Sequence, residues 1–139
     1  MNQESADTAR EPRELSDEAL VGDLVVALLA VNGWSIEKTF KLYEGLEAEH
    51  LVDLEAICKM TQPEVSTRLE RAGYRRGLFM IDLLASRLHG LALTLAGDGT
   101  NELRRAIEAK DGAALEKLLL EVKGVGPRVV ANYRALRGV

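Results

Sequence analysis

Leu119-Leu120-Glu121-Val122-Lys123-Gly124-Val125-Gly126-Pro127-Arg128-Val129-Val130 is the stretch on which the reading of this chain turns. Apolar runs on both sides enclose a short segment in which two glycines flank a valine. Pro127 suits the first turn of a helix, where its missing N–H has no intrahelical use. The segment therefore reads as a hairpin joining two helices. Its glycines allow backbone conformations closed to other residues and let another molecule approach closely. Free N–H groups and the helix dipole at the start of the second helix favour an anion. With Lys123 before it and Arg128 after it, the hairpin is predicted to cradle phosphates of a nucleic-acid backbone without reading bases. An ordinary helix-to-helix turn would use the same residue types. The apolar Leu119 and Val122 just upstream and the local positive charge favour the cradle.

Upstream of the hairpin the chain reads as helices throughout. Ser16 caps a run in which Leu20, Leu24, Ala27, Leu28 and Val31 recur at helical spacing, and Asn32-Gly33 stops it. Ser35 opens a helix through Ile36 and Phe40 to Tyr43, which Gly45 is expected to end, and a short helix follows near Leu51 to Met60. Thr61, Pro63 and Glu64 form a capping box with proline in the first turn, marking a helix that Gly73 closes. From Tyr74 to Leu95 apolar residues cover more than one face, as expected of the central helix. Gly97-Asp98-Gly99 makes a turn, Thr100 caps a helix to about Ala109, and Asp111 caps another through Leu119 and Val122. No segment alternates long enough to read as a strand, and no internal repeat appears. The expectation is an all-α protein, a compact bundle of seven or eight short helices over residues 16–139. Residues 1–15, polar and without apolar period, form a flexible tail outside the domain.

Composition agrees. In 139 residues, 47 % are hydrophobic and only 4 % aromatic, so Leu and Ala, good helix formers, must fill the core. The net charge of −4 hides a split. Residues 1–60 hold 13 acidic and 5 basic side chains (net −8), while residues 61–139 hold 9 and 13 (net +4). Past Glu121 the charged side chains are Lys123, Arg128, Arg134 and Arg137, which makes the C-terminal end a local cation. A lone Cys58 can neither staple the fold nor build a metal or iron–sulfur site, and no secretory signal opens the chain, which together imply a reducing, cytoplasmic setting. The longest apolar run, Leu24 to Val31, is too short to span a membrane.

With these residues in hand, the sequence resembles the helix-hairpin-helix family, and more particularly the DNA glycosylase superfamily that includes endonuclease III and the 3-methyladenine glycosylases. Val122 to Arg128 occupy the seven places of that family's Leu-Pro-Gly-Val-Gly-x-Lys motif. Leu28-Leu29-Ala30-Val31-Asn32 is similar to its Leu-Leu-Ser-Ala-Gln segment, and Lys41-Leu42-Tyr43 to its Lys-Leu-(Phe/Tyr). Ala72-Gly73-Tyr74-Arg75-Arg76 is similar to the Gly-(Phe/Leu)-Tyr-x-x-Lys segment that begins a helix facing DNA. The resemblance covers about residues 17–138 in the family's order, and only the hairpin is specific by itself. It implies the six-helix barrel domain, double-stranded DNA as partner, a link to base-excision repair, and for Asn32 the place of the family's gap-filling Gln.

The departures from that family point away from catalysis. Where bifunctional members carry an attacking lysine this chain has Arg128, whose guanidinium stays protonated and cannot form a Schiff base. The catalytic aspartate expected roughly 18 to 25 residues beyond the hairpin is absent, because the chain ends at Val139. The four-cysteine iron–sulfur cluster is absent too, and Val130 replaces the usual Ala. The resulting expectation is a non-catalytic DNA-binding module with no cofactor and no metal. Gly124, Val125 and Gly126 would supply main-chain donors, Lys123 and Arg128 flanking charge, and Arg75 and Arg76 a second contact. Two alternatives stand beside it: a glycosylase, or a truncated piece of one, acting on damaged bases; and a protein-interaction domain whose partner sits on the acidic N-terminal half.

Other constellations carry less. His50 and His89 lie far apart without carboxylates at ligand spacing. Glu44, Glu47 and Glu49 read as a solvated helix end. Arg68, Arg71, Arg75 and Arg76 form either a second backbone-binding patch or partners for Glu64, Glu70 and the acidic half. Trp34 with Phe40 and Tyr43 reads as core rather than a stacking platform. Gly124-Val125-Gly126 is no dinucleotide fingerprint, because no strand precedes it.

Overall fold

The run Leu24 to Val31 holds no polar side chain, and a helix apolar on every side has to be enclosed by its neighbours. The computed structural model, which describes residues 14–139, encloses it. Helix α1 (Asp17–Leu29) starts at Ser16, whose hydroxyl accepts from the Ala19 N–H at 3.1 Å, and everything on it from Ala19 to Leu29 is buried. It is the central helix, in place of the expected Tyr74–Leu95 segment. Around it run α2 (Ile36–Phe40), α3 (Tyr43–Ala48), α4 (Leu54–Cys58), α5 (Gln62–Ala72), α6 (Leu78–Leu95), α7 (Gly99–Glu108), α8 (Gly112–Leu120) and α9 (Pro127–Arg137). The described residues form nine helices and no strand. Helices α2, α6, α7 and α9 pack on α1, while α4 and α5 lie along α6.

The caps read from the sequence hold at Ser35, at the Thr61–Glu64 capping box and at Asp111. Three local expectations do not. Gly45 does not end a helix but lies inside α3, because a Cβ there would stand 2.6 Å from the Ala72 carbonyl oxygen; the glycine lets α3 and α5 touch backbone to backbone. Thr100 is buried in the first turn of α7, and the cap position falls to Asp98, whose carboxylate accepts from Asn101 instead. Helix α6 starts at Leu78 after Gly77, which has φ +84°. It buries Ile81, Leu84, Leu88 and Leu91 yet leaves Leu78 70 %, Phe79 80 % and Leu93 60 % exposed. Its length and composition would also suffice to cross a membrane.

The second half of the last helix is tied to the first by buried polar side chains. The Asn132 amide donates to the Ala27 and Ala30 carbonyls at 3.1 and 2.9 Å, and the Tyr133 hydroxyl to that of Leu20 at 3.0 Å. Arg137, buried, meets buried Asp23 at 2.7 Å. Of the expected tail, residues 1–13 lie outside the described residues. Glu14 and Leu15 belong to the fold, since their carbonyls accept from Arg137 and Arg104.

Candidate nucleic-acid interface

The hairpin is built on apolar anchors. Val122 and Val125 are buried, with Leu119 below them, and the Val125 N–H donates to the Val122 carbonyl at 3.1 Å. That bond corrects one expectation: the Val125 amide is used inside the turn, and Val125 contributes an anchor rather than a donor. Fixing the two valines turns the glycines outward. Gly124 is exposed at φ +92°, a conformation costly for any residue with a Cβ. Gly126 is half-buried and extended (φ −109°, ψ −173°), and it caps α9 with no side chain to satisfy the helix's first amides. Among the described residues nothing accepts from the N–H groups of Gly124, Gly126, Arg128 or Val129. The N–H groups of Gly126, Arg128 and Val129 belong to the cap and first turn of α9 and that of Gly124 precedes the cap by two residues; amides left free at a helix start are donors an anion can take.

These amides border a groove of about 620 Å³ lined by Gly124, Gly126, Arg128, Asn32, Trp34 and Arg87, among others, with no carboxylate in its wall. Asn32 and Gly33 both take left-handed backbone (φ +56° and +88°), which stops α1 and turns the exposed Asn32 into this groove beside the hairpin. Arg87 was not foreseen. It comes from α6, and its stem packs so closely under Gly124 that a Cβ there would stand 3.0 Å from Arg87 Cγ. One signal for it existed: in the apolar sequence of α6, Asp82 and Arg87 are the charged residues. Lys123 and Arg128 are both exposed.

The remaining cations divide. Arg76 donates to the Val31 carbonyl at 2.7 Å, the Tyr74 hydroxyl at 3.1 Å and the Asn32 carbonyl, so it fixes the end of α1 rather than standing free for a ligand. Arg75 is exposed but faces a separate recess beside Thr67, Glu70 and Arg71. Arg68 pairs with Glu64 at 3.2 Å and Arg71 with Glu49 at 3.3 Å, the arrangement in which this arginine run serves the fold. At the C-terminal end Arg137 is buried against Asp23, and Arg134 lies 3.6 Å from Glu116. The surface cation near the hairpin is thus Lys123, Arg128 and Arg87, not the expected four.

Trp34 does not join Phe40 and Tyr43, which stack on each other at 6.1 Å. Half-buried, it meets Tyr74 edge-on at 5.2 Å, with Lys38 and Arg76 5.0 and 5.3 Å from its ring centre. Burial pushes the Tyr74 hydroxyl above its ordinary value, against the lowering pull of Arg76. Among the described residues no three His, Cys, Asp or Glu side chains are placed to hold a metal. Compared with family models, curated proteins and solved structures, the chain has no significant match in any of the three.

Proposed function

We propose that this protein is a non-catalytic DNA-binding module that grips the backbone of a duplex at the Gly124–Gly126 hairpin. The observation that carries the reading is the row of unpartnered amides at the start of α9, facing a groove edged by Arg128 and Arg87 and free of carboxylates. Phosphates take such donors without regard to base identity, and Lys123 adds charge at the hairpin's entrance. Asn32 lines the same groove, and in this reading it meets a sugar or base edge of the bound strand. Arg75 supplies a second, more distant contact, while Arg76 acts by holding the Asn32 turn in place. The resemblance of residues 122–128 to the helix-hairpin-helix motif points the same way, toward DNA repair.

A duplex titration over a range of salt tests this. Each phosphate neutralised contributes a slope of about −0.9 in log affinity against log salt, so a few contacts give roughly −2 to −4. A flat response rejects the reading. Formation of abasic product from damaged-base duplexes would replace it with the glycosylase alternative.

One observation favours a different partner on a different surface. A recess of about 510 Å³ is lined by Asp17, Glu18, Glu47, Asp53 and Glu55 with His50. If a basic protein segment docks there, Lys123→Glu leaves that complex intact while abolishing duplex binding.

A further inference from the structure

We infer that the outward face of α6 is a self-association surface, on which a second copy of this chain docks its own α6 antiparallel across a two-fold axis at Ser86. The inference goes beyond the duplex-binding reading and does not depend on it. Among the described residues four large apolar side chains are exposed, and three of them, Leu78, Phe79 and Leu93, belong to this one helix. Exposed singly, such residues need no explanation; a row of them along one helix is an interaction surface.

Helix geometry aligns the row. Residues seven apart differ by only about 20° in direction, so Phe79, Ser86 and Leu93 fall in one line, all three exposed, with half-buried Leu83 and Gly90 beside it. Ile81, Leu84, Leu88 and Leu95 occupy the opposite, buried side. The line is symmetric: Phe79 and Leu93 each stand seven residues from Ser86, about 10 Å along the axis. A two-fold axis at Ser86 therefore sets Phe79 against Leu93 of the second copy, and does so twice, as in any closed dimer of like surfaces. The middle of the line is small, which lets two helices approach to about 8 Å. The hairpin borders the row without covering it, since a Cβ on Gly90 would stand 3.9 Å from the Lys123 carbonyl oxygen.

Charge selects the occupant and its direction. The first turn of α6 has no acidic residue, exposed Arg75 precedes it by three positions, and Arg71 and Arg76 line the adjoining recess with a single carboxylate, Glu70. The last turn has no basic residue, exposed Asp98 follows it, and Ala96 and Gly97 border the recess that holds Asp17, Glu18, Asp53 and Glu55. Antiparallel pairing lays the cationic start of each α6 on the acidic end of the other, whereas parallel pairing sets like charges together. The surface is thus complementary to itself. Over 18 residues the outward face measures about 27 by 10 Å, or about 270 Å². That is well below the roughly 800 Å² per partner of a stable complex, so the dimer is weak and concentration-dependent.

Sedimentation equilibrium of the full chain at about 10 μM to 1 mM tests this, the range in which so small an interface associates. Wild type is expected to form a dimer and nothing larger. Phe79→Lys and Leu93→Glu should each weaken it by about tenfold or more, because each sets an unpaired charge against an apolar side chain. The double variant Phe79→Lys/Leu93→Glu should regain most of the association. Across an antiparallel pair its two new charges face each other with opposite sign, and across a parallel pair with like sign. Both positions are exposed, so the fold accepts the changes, and an unchanged Tm verifies it. A wild type that stays monomeric throughout, or that grows beyond a dimer, overturns the inference. So do single variants that dimerise as well as wild type, or a double variant that stays as weak as the singles. Duplex affinity is a separate measurement, and none of these outcomes decides the hairpin reading.

Discussion

Gly126→Asp should make the protein more stable and a poorer DNA binder at once. The position is extended, as any residue at a helix cap can be, and a Cβ meets nothing within 4 Å, so the fold accepts the side chain. The new carboxylate reaches the free N–H groups of Arg128 and Val129. A capping aspartate exceeds glycine by a few tenths of a kcal/mol, and a negative charge at the dipole's positive end adds about 0.3–1. With an unfolding entropy near 2.1 cal/mol/K per residue over 139 residues, the combined gain raises Tm by about 2–5 °C. The same carboxylate occupies the donors a phosphate needs and repels it. Losing one charge-assisted contact of about 1.5–3 kcal/mol weakens duplex binding roughly 10- to 150-fold and makes the salt slope shallower by about one. Thermal melts and anisotropy titrations read the two effects separately. A variant with raised Tm and unaltered affinity refutes the cradle. Gly124→Asp is the poorer probe: φ +92° and the nearness of Arg87 add strain, so stability and affinity fall together.

Four further outcomes follow from the same geometry. Asp23→Ala leaves the Arg137 guanidinium buried without its carboxylate, and should cost about 3–5 kcal/mol in urea unfolding; a loss under about 1 kcal/mol contradicts the pairing. Gly45→Ala forces a Cβ against the Ala72 carbonyl and should destabilise by about 1–3 kcal/mol, with no change in Tm as the contrary result. Arg75→Ala should reduce the salt slope at constant Tm, whereas Arg76→Ala should lower Tm because the end of α1 loses its brace; the reverse pattern would exchange their roles. Burial raises the hydroxyls of both Tyr74 and, more strongly, Tyr133 above the ordinary value near 10. The folded chain keeps those protons at pH values where the unfolded chain sheds them. Stability should therefore be fully present below about pH 10 and fall above it, and Tyr133→Phe should flatten that alkaline decline.

What could be read from the sequence was local. Ser16, Ser35, Thr61 and Asp111 announce helix starts because each cap bonds an amide two or three residues away. The hairpin is legible for the same reason: two glycines and a proline within four positions fix its backbone almost alone. What escaped depends on residues brought together from afar. Gly45 looks like a stop until Ala72 is laid against it. Arg76 looks like a ligand contact until the carbonyls of Val31 and Asn32 arrive. Arg137 counts as surface charge until Asp23, 114 positions earlier, takes it inside. Arg87 enters the groove only because α6 passes beside the hairpin; its charge within an apolar run marks it out, but not what it faces.

The bond between Asp23 and Arg137 also sets a timetable for biosynthesis. The first helix leaves the ribosome with eleven successive residues that end up buried, most of them apolar and one the carboxylate Asp23, while its partner helix α9 follows more than a hundred residues later. At about 5–20 residues per second, the interval between the two partners is roughly 6 to 23 seconds. Throughout it the apolar residues of α1 lack the cover that α9 gives them in the folded chain.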